Sequence, residues 1–166
     1  MASQFAEKMM SFRQLLSNGF KPRANMRRTG AMPDEVFAVG LDIGGTSVKS
    51  GVVKNDGALL PESVCIDAVD AEASADEILA SFTAALSRVL EFARRRSLDV
   101  QGVGVGICGP FDYEKGISQI KDLDKYESLY GVNVKQALRS RSQLSPDLPL
   151  LFDNDAASFA RGEVWV

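Results

Sequence analysis

Val36-Phe-Ala-Val-Gly-Leu-Asp-Ile-Gly-Gly-Thr-Ser-Val-Lys-Ser-Gly-Val-Val53 is the stretch whose reading decides the fold. Two apolar, β-branched runs flank Asp42-Ile43-Gly44-Gly45-Thr46, which predicts two strands joined at a sharp turn. Gly44 and Gly45 permit positive φ and leave no Cβ in the way of a ligand approaching the backbone. Thr46 adds a hydroxyl, and consecutive backbone N–H groups in such a turn make a concavity suited to phosphate oxygens. Asp42, at the end of the first strand, is placed to hold a magnesium ion, directly or through its water shell. An ordinary glycine hairpin needs neither the acid before it nor the threonine after it. Phosphate binding is therefore the favoured reading over an incidental turn.

The rest of the composition narrows the chemistry. The chain has 166 residues, 45% hydrophobic and 25% charged, enough for one domain with a real core. A net charge of −3 argues against a dedicated nucleic-acid binder. There is no histidine, which removes histidine bases and histidine metal ligands. Cys65 and Cys108 lie far apart, without zinc-ligand spacing. No apolar run approaches membrane-spanning length, and a reducing cytoplasmic or organelle interior is the default compartment.

Charge divides the chain. Residues 1–33 hold Lys8, Arg13, Lys21, Arg23, Arg27 and Arg28 against Glu7 alone, a net of +5 that leaves −8 for residues 34–166. Phe5, Met9, Phe12 and Leu16 recur at helical spacing, and Asn18-Gly19 is a stop. This basic amphipathic extension reads as a transit peptide, as a docking helix, or as a frayed terminus without function.

Beyond the opening hairpin, Asn55-Asp56-Gly57 predicts a second turn leading into a third strand over Ala58 to Ile66. Ser74-Ala-Asp-Glu77 has capping-box spacing, followed by Ile78, Phe82, Leu86, Val89 and Ala93 on one helical face. Arg94-Arg95-Arg96 closes that helix where its dipole favours cations. Val100 to Cys108 reads as a strand, Asn133 to Arg141 as a short helix, Pro149 to Phe152 as a buried strand, and Asn154 to Glu163 as a helix. The sum is an α/β domain, a mixed sheet flanked by helices, with active groups at strand ends. Gly104-Val-Gly106-Ile-Cys-Gly109 matches the dinucleotide fingerprint by letter. Pro110-Phe111-Asp112 follows instead of a helix, so the mechanism of that fingerprint fails. At the exit of the last strand, Asp153-Asn154-Asp155 reads on its own as a helix cap.

Three of these segments resemble the ROK family of sugar kinases, repressors and uncharacterised frames, within the actin-like ATPase superfamily. Asp42-Ile-Gly-Gly-Thr46 with Lys49 is similar to its first phosphate motif. Gly104 through Asp112 is similar to its glycine-rich strand and Pro-Gly turn, with Cys108 where proline is usual. Asn154-Asp155-Ala156 with Gly162-Glu163 is similar to its catalytic motif, with Asp153 where glutamate is common and Ala157 where a second asparagine is usual. The resemblance implies the N-terminal lobe of the actin-like ATPase (ribonuclease H-like) fold over residues 34–166. It implies ATP and Mg2+ as cofactors and a hexose or amino-hexose as substrate. Asp155 would be the general base, since phosphoryl transfer to a hydroxyl needs a carboxylate to accept its proton. Asn154, Asp155 and Gly109 would face the sugar, and Asp42, Gly44, Gly45, Thr46 and Lys49 the nucleotide, with Asp42 at the metal. Lys121-Asp-Leu-Asp-Lys-Tyr126 through Tyr130 corresponds to a sugar-contacting loop whose usual asparagine is Asp122 here; the plainer reading is a polar surface loop whose Tyr126 and Tyr130 pack on the sheet.

The family's second lobe, with its adenosine site and Cys/His zinc motif, is not in this sequence. Two expectations follow. One is a glucokinase-like hexose kinase, with little activity as a single lobe. The other is a non-catalytic sugar- or partner-binding lobe, or a remnant of a transcriptional regulator, self-associated or joined to a complementary lobe. The extension is too short for a complete winged-helix domain, which weighs against the regulator.

Overall fold

The computed structural model describes residues 35–155. Phe37–Ile43 (β1) and Ser47–Lys54 (β2) form the antiparallel hairpin, pairing Asp42 with Lys49 and Ile43 with Val48. Asn55-Asp56-Gly57 turns the chain as expected, with the Asp56 carboxylate accepting the Ala58 N–H. The third strand departs from expectation. After one bridge between Val53 and Leu59, Pro61–Ser63 winds into a 3-10 turn, and only Cys65–Ala68 (β3) pairs with β2. Pro61 has no N–H to give a ladder. Ser63, fully buried, instead lends its Oγ to the Val52 N–H at 2.8 Å.

Ala75–Arg95 (α1) opens on the predicted capping box, in which Ser74 accepts from the Glu77 N–H and Glu77 accepts from the Ser74 N–H. Its buried face carries Ile78, Phe82, Leu86, Val89 and Ala93. Val100–Ile107 (β4) then runs parallel to β1. A hairpin of two-residue strands, Phe111–Asp112 (β5) with Ile117–Ser118 (β6), follows where the sequence reads as a short extended segment and a turn. The Asp112 carboxylate accepts the Lys115 N–H within it. Val134–Arg141 (α2) is capped by the Asn133 side chain, and Leu150–Asn154 (β7) extends two residues beyond the expected strand. Asp155 begins a helix; its expected course to Glu163, and the amphipathic segment of residues 1–33, lie outside the described residues.

The sheet order is β3-β2-β1-β4-β7, antiparallel on the hairpin side and parallel from β1 onward. Because strand side chains alternate, the register sorts residues onto two faces. Val39, Leu41, Ile43, Val48, Val52, Val103, Val105, Ile107, Leu150 and Phe152 share one face and one apolar core with the buried side of α1. Full burial of such side chains stabilises the fold by about 1.5–3 kcal/mol each before entropy is charged. The other face carries Gly40, Gly51, Gly102, Gly104 and Gly106, together with Asp42, Lys49 and Asp153.

Candidate functional site

The carboxyl ends of the parallel strands bring the sequence-predicted residues together. Asp42 of β1 pairs with Gly106 of β4, and Gly106 with Asp153 of β7, so the three stand in one row on the glycine-rich face. Gly106 supplies no side chain between the two carboxylates. A Cβ there would lie 3.8 Å from the Asp155 Cα and 3.7 Å from the Leu41 carbonyl oxygen. Asp155 therefore sits over Gly106, the residue paired with both Asp42 and Asp153. Asp42 is buried, with the Lys49 ammonium 3.8 Å from its Oδ2. Among the described residues no group of three Asp, Glu, His or Cys side chains is arranged to hold a metal by itself.

The turn between β1 and β2 works differently from the expectation. Neither Gly44 nor Gly45 takes a left-handed φ. The Gly44 N–H donates to the Ser47 carbonyl at 2.9 Å, closing the turn, and a Cβ on Gly44 would stand 3.2 Å from that same oxygen. Close approach, not positive φ, is what requires glycine here. Gly45 and Thr46 are exposed, and their N–H groups have no protein acceptor among the described residues. The concavity thus offers two N–H donors and the Thr46 hydroxyl.

On the other side of Asp155, Asn154 donates from Nδ2 to the Tyr113 hydroxyl at 2.9 Å, and that hydroxyl donates to the Ile107 carbonyl at 3.2 Å. Gly109 packs against the same hydroxyl, which a Cβ at Gly109 would meet at 3.0 Å. Burial pushes the Tyr113 hydroxyl above its usual range, against the hydrogen bond from Asn154. Gly109 is joined to Pro110 by a cis peptide bond, and β5 follows with no helix, so no dinucleotide-binding turn forms.

Tyr113 escaped the sequence reading of the site, and Tyr126 and Lys125, in the loop read there as sugar-contacting or as surface, take places beside the glycine turn that it did not give. Tyr113 positions Asn154 from 41 residues away. Tyr126, with φ +58°, is fully buried and donates its hydroxyl to the Gly44 carbonyl, whereas Tyr130 is exposed rather than packed on the sheet. Lys125 lies over Gly45, its Cδ 3.9 Å from the position of a Cβ there. Burial raises the Cys108 thiol; the Lys125 ammonium beside it opposes that rise and the Asp155 carboxylate adds to it. Contacts across such separations leave no local signal. A lysine and a tyrosine in a polar loop look like surface until the loop is seen against the turn.

The ROK family model matches residues 38–166. No curated protein matches the chain. Among solved structures, a ROK family glucokinase from Streptomyces griseus in complex with glucose and AMPPNP is 27% identical, with a TM-score of 0.56, over 72% of this chain and 33% of that one. A ROK hexokinase from Thermus thermophilus is 22% identical, with a TM-score of 0.55, over 73% of this chain and 36% of that one. A ROK family transcriptional regulator, a homolog of the E. coli MLC protein, is 13% identical, with a TM-score of 0.53, over 72% of this chain and 27% of that one. The last two show the fold alone. The chain spans about a third of the length of the structures it matches.

Proposed function

This chain belongs to the ROK family, and from that premise we propose that its site is the phosphate and sugar half of an ATP-dependent hexose kinase of glucokinase type. The observation that carries the reading is Asp155 over Gly106, in the row of Asp42 and beside Asn154. The exposed N–H groups of Gly45 and Thr46 bind phosphate oxygens, and Lys49 holds Asp42 in place on the same face. Asn154, oriented by Tyr113, hydrogen-bonds the sugar. Asp155 accepts the proton of the attacking hydroxyl as its oxygen bonds to the terminal phosphorus and the bond to the departing ADP breaks.

Asp42 would hold an Mg2+ ion that keeps most of its water and takes further ligands from phosphate, since one or two carboxylates are enough for such an ion. When bound, the ion neutralises phosphate charge.

The test is sugar-dependent ADP release from the chain with glucose and mannose, alone and in the Asp155→Asn variant. The variant is expected to lose about 10²–10⁴-fold in kcat while melting as the parent does. A non-catalytic sugar- or partner-binding lobe is the second reading. It predicts glucose binding with no ADP release from parent or variant.

A further inference from the structure

The loop of residues 121–130 brings a cation to the site that no motif announced. Tyr126 fixes its base: the backbone N–H donates to the Ala71 carbonyl at 2.7 Å, the ring meets Phe82 edge-on at 5.6 Å, and the hydroxyl holds the Gly44 carbonyl. Lys125 is thereby carried over the exposed tip of the turn, with its Cδ against Gly45. Its side chain is half-buried and makes no ion pair among the described residues. Glu72, Asp124 and Glu127 line a shallow pocket together with Lys125, and none of them forms an ion pair with it among the described residues. The Glu127 carboxylate is engaged by the N–H groups of Leu123 and Asp124. On the inner side its neighbour is the Cys108 thiol, which burial keeps protonated at neutral pH and which is a weak acceptor. An ammonium has three donors and a thiol takes at most one of them weakly, so an anionic oxygen entering over Gly45 would be a stronger partner than any the loop supplies.

We propose that Lys125 is a phosphate-holding residue of this site, its ammonium reaching the phosphate oxygens that the Gly45 and Thr46 N–H groups bind from below. The proposal rests on the kinase reading and deepens it. The turn supplies N–H dipoles without full charge, and the Lys49 ammonium on the same face lies 3.8 Å from the Asp42 carboxylate. A second ammonium over Gly45 adds the full charge that polyphosphate oxygens on those N–H groups would meet. The lysine stands in a loop whose expected partner is the sugar, so the two ligands separate the assignments.

Calorimetric titration of the full chain with Mg2+-AMPPNP, with tripolyphosphate and with glucose provides the test, on the parent and on Lys125→Gln and Lys125→Arg. Lys125→Gln is expected to weaken AMPPNP and tripolyphosphate by at least about tenfold and to leave glucose affinity unchanged. Lys125→Arg, which keeps the charge, is expected to recover most of the loss. AMPPNP binding unaltered in Lys125→Gln overturns the proposal and leaves the kinase reading standing. A loss of glucose affinity instead of nucleotide affinity moves the residue to the sugar and overturns it too. A parent chain that binds neither AMPPNP nor tripolyphosphate overturns the nucleotide reading, and Lys125 falls with it.

Discussion

Along β1 the residues Val39, Leu41 and Ile43 point one way, and Gly40 and Asp42 the other. Across the sheet the difference is repeated: Val103, Val105 and Ile107 against Gly102, Gly104 and Gly106 in β4, and Leu150 and Phe152 against Asp153 in β7. One face is filled by branched side chains that interlock with α1. The other is emptied of bulk, so that backbone and carboxylates can approach one another. A strand's period of two lets the same strands build a core and clear a site. Stability and chemistry are therefore separable by substitution, face by face.

Leu86→Ala, on the buried side of α1, breaks the comparison hardest on the apolar side. It removes a fully buried side chain from the interlocked face and is expected to cost about 2–5 kcal/mol in urea unfolding, with ligand affinity per folded molecule unchanged. Gly106→Val does the reverse. Its Cβ alone fits, at 3.7–4.0 Å from its nearest atoms, but the added methyls press on the Leu41 carbonyl and on Asp155. The expected stability loss is smaller, about 1–3 kcal/mol, while ADP release falls as far as in Asp155→Asn. Equal effects of the two variants on stability and on turnover would mean the faces are not separable.

That division was only half legible in sequence. The valine-rich halves of β1, β2 and β4 and the Ser74-to-Glu77 box announce their elements, because strand alternation and capping are local. Asp42 could be marked as a site residue from its place at a strand end, whereas Asn154 and Asp155, which read on their own as a helix cap, were marked only by the resemblance to the ROK catalytic motif. Their meeting could not, because the row from Asp42 through Gly106 to Asp153 exists only once β1, β4 and β7 are in register. The glycines of β4 were visible, but their use as room for Asp155 was not. Pro61 carried a warning against one strand from Ala58 to Ile66, yet the substitution of the Ser63 hydroxyl for a strand partner joins residues 11 apart. Tyr126 reaches Gly44 across 82 residues, and Lys125 rides with it.

The smallest effect belongs to neither face but to the exposed side of α1, and it sharpens the contrast by its weakness. Glu91 accepts from Arg94 and Arg95 one turn on, at 2.7–2.8 Å, and these hydrogen bonds, Arg94 first, lower its carboxyl from 4.5 to about 2. A folded-state pKa below the unfolded one gives stability that is present above about pH 4.5 and lost as pH falls toward 2. The Glu91 side chain is 38% exposed and its guanidinium partners about three-quarters exposed, and those guanidinium groups already sit favourably at the helix C-terminus, so solvent and salt screen most of the gain. Melting curves of the parent are expected to show a shallow decline across that window, which Glu91→Gln flattens and added salt diminishes. A decline as steep as the loss in Leu86→Ala would place a substantial share of the stability outside the interlocked face, against the division of labour that the two faces imply.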